Sequence, residues 1–244
     1  MQGKDELSIN EELYIEALAH HNAMRFKPAI EAWQELIAEE PRFALAHFNL
    51  GQMYDKLDQV PDALPCYERA VQLVPDNGIY RLNLGSLYLR QGMARPALAE
   101  LREALTRDPY NFLIDYNLAG AYLALNDHDN ALIHADKAVD LYSVPGPNES
   151  GLKDGVDREM LTRLLARQAE CHVVRGEMDK ARQCVDRIVN QCRTEVPVRL
   201  QTMLDKTAPG DAPARRYTPE EKAPEATPPA ETPPAPPEPE KTDG

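Results

Sequence analysis

No stretch of this chain approaches the roughly 18 consecutive apolar residues that a membrane-crossing helix needs. Its first residues, MQGKDELSINEEL, hold acids and no apolar run, so no signal peptide is expected, and the expected compartment is the cytoplasm, without membrane insertion. Basic side chains are in deficit. Against 40 Asp and Glu stand 27 Lys and Arg, a net charge of −13, and that sign repels a phosphate backbone, which argues against nucleic acid as a partner. Cysteine is sparse: Cys66, Cys171, Cys184 and Cys192 show neither a CxxC pair nor metal-ligand spacing and read as free thiols. Also missing are a glycine-rich phosphate loop, a nucleophile elbow and an HExxH helix. His20 and His21 are adjacent and so point to different faces, and His128 and His134 have no third ligand at metal spacing. No catalytic residue, metal or cofactor is expected, and hence no enzyme.

What the chain does contain is a period. Ala29, Ala63, Ala97 and Ala131 stand 34 residues apart, the length of a helix–turn–helix unit that buries its apolar face only against its neighbours. With each unit numbered from 1 and the recurring Ala at position 20, the second unit, 44–77, carries Leu50, Gly51, Tyr54, Ala63, Tyr67, Ala70 and Pro75 at its marked positions. The third, 78–111, repeats the set as Leu84, Gly85, Tyr88, Ala97, Leu101, Ala104 and Pro109, and the fourth, 112–145, follows with Leu118, Ala119, Tyr122, Ala131, Ala135 and Ala138. The first, 10–43, keeps Ala29, Trp33, Leu36 and Pro41. Small residues at 8 and 20 let paired helices approach while larger side chains at 11 and 24 fill the space beside them. Asp58, Gly92, Asn126 and Gly176 sit at position 15, where the first helix must end in a left-handed residue, and Pro28, Pro61 and Pro96 open the second helix.

These residues resemble the tetratricopeptide repeat family over 10–142, and more weakly over a fifth unit at 162–195 that has Leu165, Ala169, Ala181, Val185 and Ile188 but His172 and Arg193 where an aromatic and a proline are usual. The resemblance implies an all-α, right-handed α-solenoid of about five helix pairs. The expected organisation is a lead-in at 1–9, a repeat domain at 10–206 and a tail at 207–244. Pro145, Gly146, Pro147, Gly151 and Gly155 predict an exposed loop at about 143–158 whose far end can extend the next helix. A solvating cap helix is predicted at 196–206, and Ser8 with Glu11 reads as a capping box. From Thr207 onward eleven of 38 residues are proline, with eight acids and four bases, which predicts disorder.

In such a solenoid, the resemblance implies, first-helix positions 2, 5, 6, 9, 12 and 13 line a concave groove. Position 6 is Asn49, Asn83 and Asn117, a ladder able to bond both backbone groups of an extended peptide; Ile15 and Arg167 interrupt it at either end. Position 5 (Tyr14, Phe48, Leu82, Tyr116) and position 2 (Leu45, Ile79, Leu113) predict an apolar stripe. Each ligand side chain buried there contributes roughly 1.5–3 kcal/mol, against about 0.5–1.5 kcal/mol per net hydrogen bond. The family's carboxylate clamp is half absent, since its places hold Leu82, Ser86, Asn117, Arg163 and Arg167; the last two, one turn apart, are candidates for gripping a carboxylate.

The function that follows is a non-enzymatic protein-binding adaptor or chaperone-like scaffold holding an extended, partly apolar segment of a protein or peptide ligand. Two alternatives stand beside it: a structural or oligomeric assembly unit using an exposed repeat face, and a secretion-type chaperone of the same family. The sequence leaves the oligomeric state open. The tail is long enough to reach back along the groove and contact it.

Overall fold

The structure, a computed structural model, describes residues 9–143 and 156–207. Among them are eleven α-helices and no strand: α1 (Ile9–Asn22), α2 (Phe26–Glu39), α3 (Ala44–Lys56), α4 (Val60–Leu73), α5 (Gly78–Arg90), α6 (Ala94–Arg107), α7 (Phe112–Ala124), α8 (His128–Ser143), α9 (Val156–Val174), α10 (Met178–Arg187) and α11 (Val198–Thr207). Each odd-numbered helix up to α9 packs against the even-numbered helix that follows it, and pairs stack in sequence to form a helical solenoid. No described helix is long and apolar enough to cross a membrane.

The turn inside each pair has one geometry. Met24, Asp58, Gly92, Asn126 and Gly176 all have positive φ, between 53° and 75°, and the next amide donates back to the residue at position 11: Arg25 N to His20 O at 3.0 Å, and Gln59 to Tyr54, Met93 to Tyr88, Asp127 to Tyr122 and Glu177 to His172, each at 2.9 Å. That six-residue closure satisfies orphan carbonyls at the helix end. Asp, Asn and Gly suit the left-handed conformation; Met24 does not. Entry to α5 and α7 is capped by Asn77, whose Oδ1 accepts from Ile79 N and Tyr80 N, and by Asn111, which accepts from Leu113 N.

Close packing explains the small residues. Ala29, Ala63, Ala97, Ala131 and Ala181 are wholly buried, and a Cβ on Gly85 would stand 2.7 Å from Leu101 of the partner helix. Trp33, Tyr67 and Leu101 fill position 24. The core runs as four successive clusters from Ala17 to Leu204, so that burial passes from unit to unit without a central nucleus.

The C-terminal end departs from the repeat. Of the insertion expected as loop over 143–158, helix takes Ser143 at the end of α8 and, at the far end where extension of the next helix was expected, Val156 onward in α9, since Val156 to Glu159 contains no glycine or proline. Residues 144–155, the capping residue Ser8 and the tail from 208 lie outside the described residues. His172 is buried where the second to fourth units hold Tyr54, Tyr88 and Tyr122, and its Nδ1 lies 2.9 Å from Glu177 Oε2. After α10 the chain makes a π-helical turn, Ile188–Cys192, and reverses at Arg193 with φ 53°. A Thr162–Thr194 hydroxyl contact of 2.7 Å ties this reversal to α9. Then α11 docks on α9 through buried Leu200 and Leu204.

Candidate functional site

The first helices of successive pairs line one wall of the solenoid, and α11 extends it past the fifth pair. Between α5, α7, α9 and α11 this wall encloses a cavity of about 510 Å³. Its lining comes from Ser86, Leu89 and Arg90 of α5, Tyr116, Asn117 and Gly120 of α7, Arg167 and Glu170 of α9, and Arg199 and Met203 of α11, among others. The repeat residues here occupy positions 5, 6, 9, 12 and 13, which are one helical face because 3.6-residue periodicity brings i, i+4 and i+7 together.

Arg167 organises the cavity. Its guanidinium lies 4.9 Å from the Tyr116 ring centroid, with Nη2 donating at 3.4 Å to the Tyr116 hydroxyl. Nη1 stands 3.6 Å from Glu170 Oε2, and on the opposite oxygen Arg199 Nε approaches to 3.4 Å. Glu170 is therefore one carboxylate between two guanidiniums, and its pairing with Arg199 ties α11 to α9. Burial works against the charge of Arg167, but Tyr116 and Glu170 outweigh it and hold its pKa above the ordinary value. Gly120 makes the arrangement possible: a Cβ there would meet Arg167 Nη1 at 3.3 Å. At the cavity's rim Arg90 bridges Asp55 and Asp58, the latter at 2.7 Å.

The residues singled out from the sequence divide into three groups. Tyr116, Asn117 and Arg167 meet in the cavity. Asn83 and Asn117 share one conformation, Nδ2 donating to the carbonyl four residues back, Ile79 O at 2.8 Å and Leu113 O at 3.0 Å. Ile79 is 58% exposed, and Ile15 is 52% exposed, while Tyr14, Leu45 and Leu113 are half-buried; Tyr14 leans on Trp33 and Phe43. The third group corrects the expectation. Asn49 is only 7% exposed, so the ladder does not present three equivalent solvent-facing rungs. Phe48 stacks on Tyr80 at 4.6 Å and tilts against Tyr67 at 5.7 Å, and Leu82 joins the core with Leu101; both turn between helices because apolar neighbours there offer burial that an open groove does not. Arg163 pairs with Glu159 on an exposed face and does not line the cavity, so it forms no clamp with Arg167.

Sequence reasoning missed Arg90, Gly120, Glu170, Arg199 and Met203. Arg199 and Met203 carried a signal in their i, i+4 spacing on the cap helix, the spacing of one face. A second polar cluster lies away from the groove: the carboxylate of Asp115, wholly buried, holds His134 Nδ1 at 2.7 Å and Lys137 Nζ at 2.9 Å. His134 in turn stacks on Tyr122, whose hydroxyl accepts from Arg102 at 2.8 Å. This chain of contacts pins α6, α7 and α8 together.

Family comparison agrees with the repeat geometry. Tetratricopeptide repeat models match residues 44–77 and 82–144. No curated protein matches the chain. Among solved structures, MamA 41-end from Desulfovibrio magneticus RS-1 superposes with a TM-score of 0.63 at 16% identity, covering 75% of this chain and 95% of that one. PilW, a widely conserved type IV pilus biogenesis factor, gives 0.64 at 12%, over 81% and 84% of the two chains. YrrB, a tetratricopeptide repeat protein with an unusual peptide-binding site, gives 0.58 at 13%, over 71% and 81%. At these identities the likeness is one of fold. The matched repeats, the shared turn geometry and the stacked helix pairs make this chain a member of the tetratricopeptide repeat family.

Proposed function

We propose that this protein is a non-enzymatic adaptor or chaperone-like scaffold that holds an extended, partly apolar polypeptide segment in its concave groove. Proteins of this family are in general interaction scaffolds that bind peptide or protein partners, and the YrrB likeness lends the groove a precedent. The observation that carries the reading is the cavity of about 510 Å³, whose walls combine apolar side chains with Asn117, Arg167 and Arg199. The groove has a direction. Toward the N-terminal units it exposes Ile15 and Ile79, and toward the C-terminal end it is charged. A fitting segment therefore places aliphatic or aromatic side chains against α1 to α5 and polar or acidic groups against α7 to α11. Two or three buried anchors must offset association costs of about 4–15 kcal/mol, which sets affinity on the order of micromolar.

The test is selection of binders from a displayed library of unstructured peptides, followed by affinity measurement on Asn83→Ala/Asn117→Ala and on Ile79→Asp. Groove binders lose at least tenfold on both. Binders indifferent to all three substitutions would mean that the working surface is elsewhere.

A further inference from the structure

We infer that the cavity at the C-terminal end of the groove is a docking site for the chain's own segment 208–244, which competes there with external ligands. The inference rests on the groove's use as a binding surface for extended segments, and it names one occupant.

Chain path comes first. Arg199 and Met203 put one face of α11 on the cavity wall, and α11 ends at Thr207, whose hydroxyl donates to Met203 O at 3.2 Å. The described chain therefore ends four residues, about one helical turn, beyond a lining side chain. At about 3.3–3.6 Å per extended residue, the remaining chain is much longer than the few helical turns that bound the cavity.

Charge comes second. The whole chain carries −13, yet in the cavity Arg167 and Arg199 share the single carboxylate of Glu170, at 3.6 and 3.4 Å. Arg90 at the rim already holds Asp55 and Asp58. One positive charge is left over at the α9–α11 end, while the Arg90 group at the other end carries one net negative charge, and contacts as long as those to Glu170 leave guanidinium N–H groups able to turn toward a second carboxylate. Residues 208–244 hold eight acids against four bases, and beyond Lys222 come Glu225, Glu231, Glu238, Glu240 and Asp243 with Lys241 the one base.

Backbone chemistry comes third. The segment contains eleven prolines, each offering a carbonyl and no N–H. The wall is donor-rich to match: besides the arginines it has the Asn117 amide, whose Nδ2 carries two N–H groups and donates to Leu113 O of its own helix. A strand with fewer donors than acceptors suits such a wall better than one with a full set of N–H groups to match.

Tethering supplies an effective concentration near the millimolar range. A segment that binds in trans with a dissociation constant of about 0.1 mM would then weaken an external groove ligand by about tenfold. The experiment adds a synthetic peptide of residues 208–244 to a chain ending at Thr207, which retains every described helix. The expected result is saturable binding that slows hydrogen exchange in α5, α7, α9 and α11. It falls at least fivefold in high salt, and by as much when Glu225, Glu231, Glu238 and Glu240 of the peptide are replaced by Gln. Those replacements leave the folded chain untouched, so misfolding cannot mimic the loss. Arg199→Gln in the chain gives the same loss. Absence of binding, indifference to the neutralised acids, or protection outside these helices overturns the inference. If library-selected peptides occupy the groove while 208–244 does not, this inference fails and the groove reading stands; if neither binds, both fail.

Discussion

The middle of the solenoid and its C-terminal end are held together by different kinds of contact. From α3 to α6 the buried joints are apolar and repeat, with polar pairs such as Arg81–Glu100 and Tyr88–Glu68 at their edges: Tyr67 and Leu101 fill one position 34 residues apart, and Gly85 lets a neighbouring helix approach within van der Waals distance. From α9 to α11 the same pairing is kept, but the joints become individual. His172 with Glu177 stands in for an aromatic ring, Thr162 with Thr194 for a proline-ended turn, and Arg199 with Glu170 fixes the cap helix. The middle thus shows that nearest-neighbour burial propagates a repeat, and the end shows that individual polar pairs are added to that burial where the repeat stops and the binding wall is charged.

The largest expected effect tests the apolar half of that contrast. Leu101→Ala should destabilise the chain by roughly 2–5 kcal/mol, read from urea unfolding, because a fully buried position collapses only in part. Leu200→Ala, chemically the same change, should act locally: amides of α11 exchange faster while α3 to α6 keep their protection. A global melt of equal size from both substitutions would erase the distinction between the two regions.

Next in size is the groove. Replacing Asn83 and Asn117 by Ala should weaken a selected peptide at least tenfold, about 1.4 kcal/mol, with unfolding free energy changed by less than about 1 kcal/mol. Asn49→Ala should do the reverse, costing about 1 kcal/mol of stability and leaving the peptide bound, since that side chain is buried. Equal behaviour of all three would restore a uniform ladder.

Smaller still is the turn. Met24→Gly should stabilise by up to about 1 kcal/mol, and Gly92→Ala should destabilise by a similar amount, because both positions have positive φ. Thermal melts of the two variants check the opposed signs.

The smallest effect probes the polar end. Glu177 is held down to about 2, against an ordinary 4.5, first by the N–H groups of Arg175, then by Lys180 and His172. A carboxyl depressed in the folded state adds stability above its unfolded pKa, and that contribution is lost as pH falls from about 4.5 toward about 2. Glu177→Gln should therefore flatten the acid side of a stability profile in that window and nowhere else. A profile that keeps the wild-type slope would remove Glu177 from the account of the polar joint.

The sequence by itself determined the all-α repeat. A 34-residue spacing of small residues, left-handed turn residues and opening prolines is local information, and stacked pairs use only local information, since each unit packs on its neighbours. Gly92 and Asn126 identified their turns; Met24, which obeys the same geometry against its own preference, did so only by period. Tertiary structure alone decided which marked residues face the groove. Helix position sets a direction from the axis, but exposure depends on what the next unit brings alongside: Tyr80 covers Phe48, Leu101 covers Leu82, and the void beside Gly120 admits Arg167. The bond from Arg167 to Tyr116 joins residues 51 apart, across the insertion, and Arg199 reaches Glu170 only because the chain reverses at Arg193. Contacts made across an interrupted period leave no trace in the period, because they depend on where a whole helix is laid down and not on the residues at its ends.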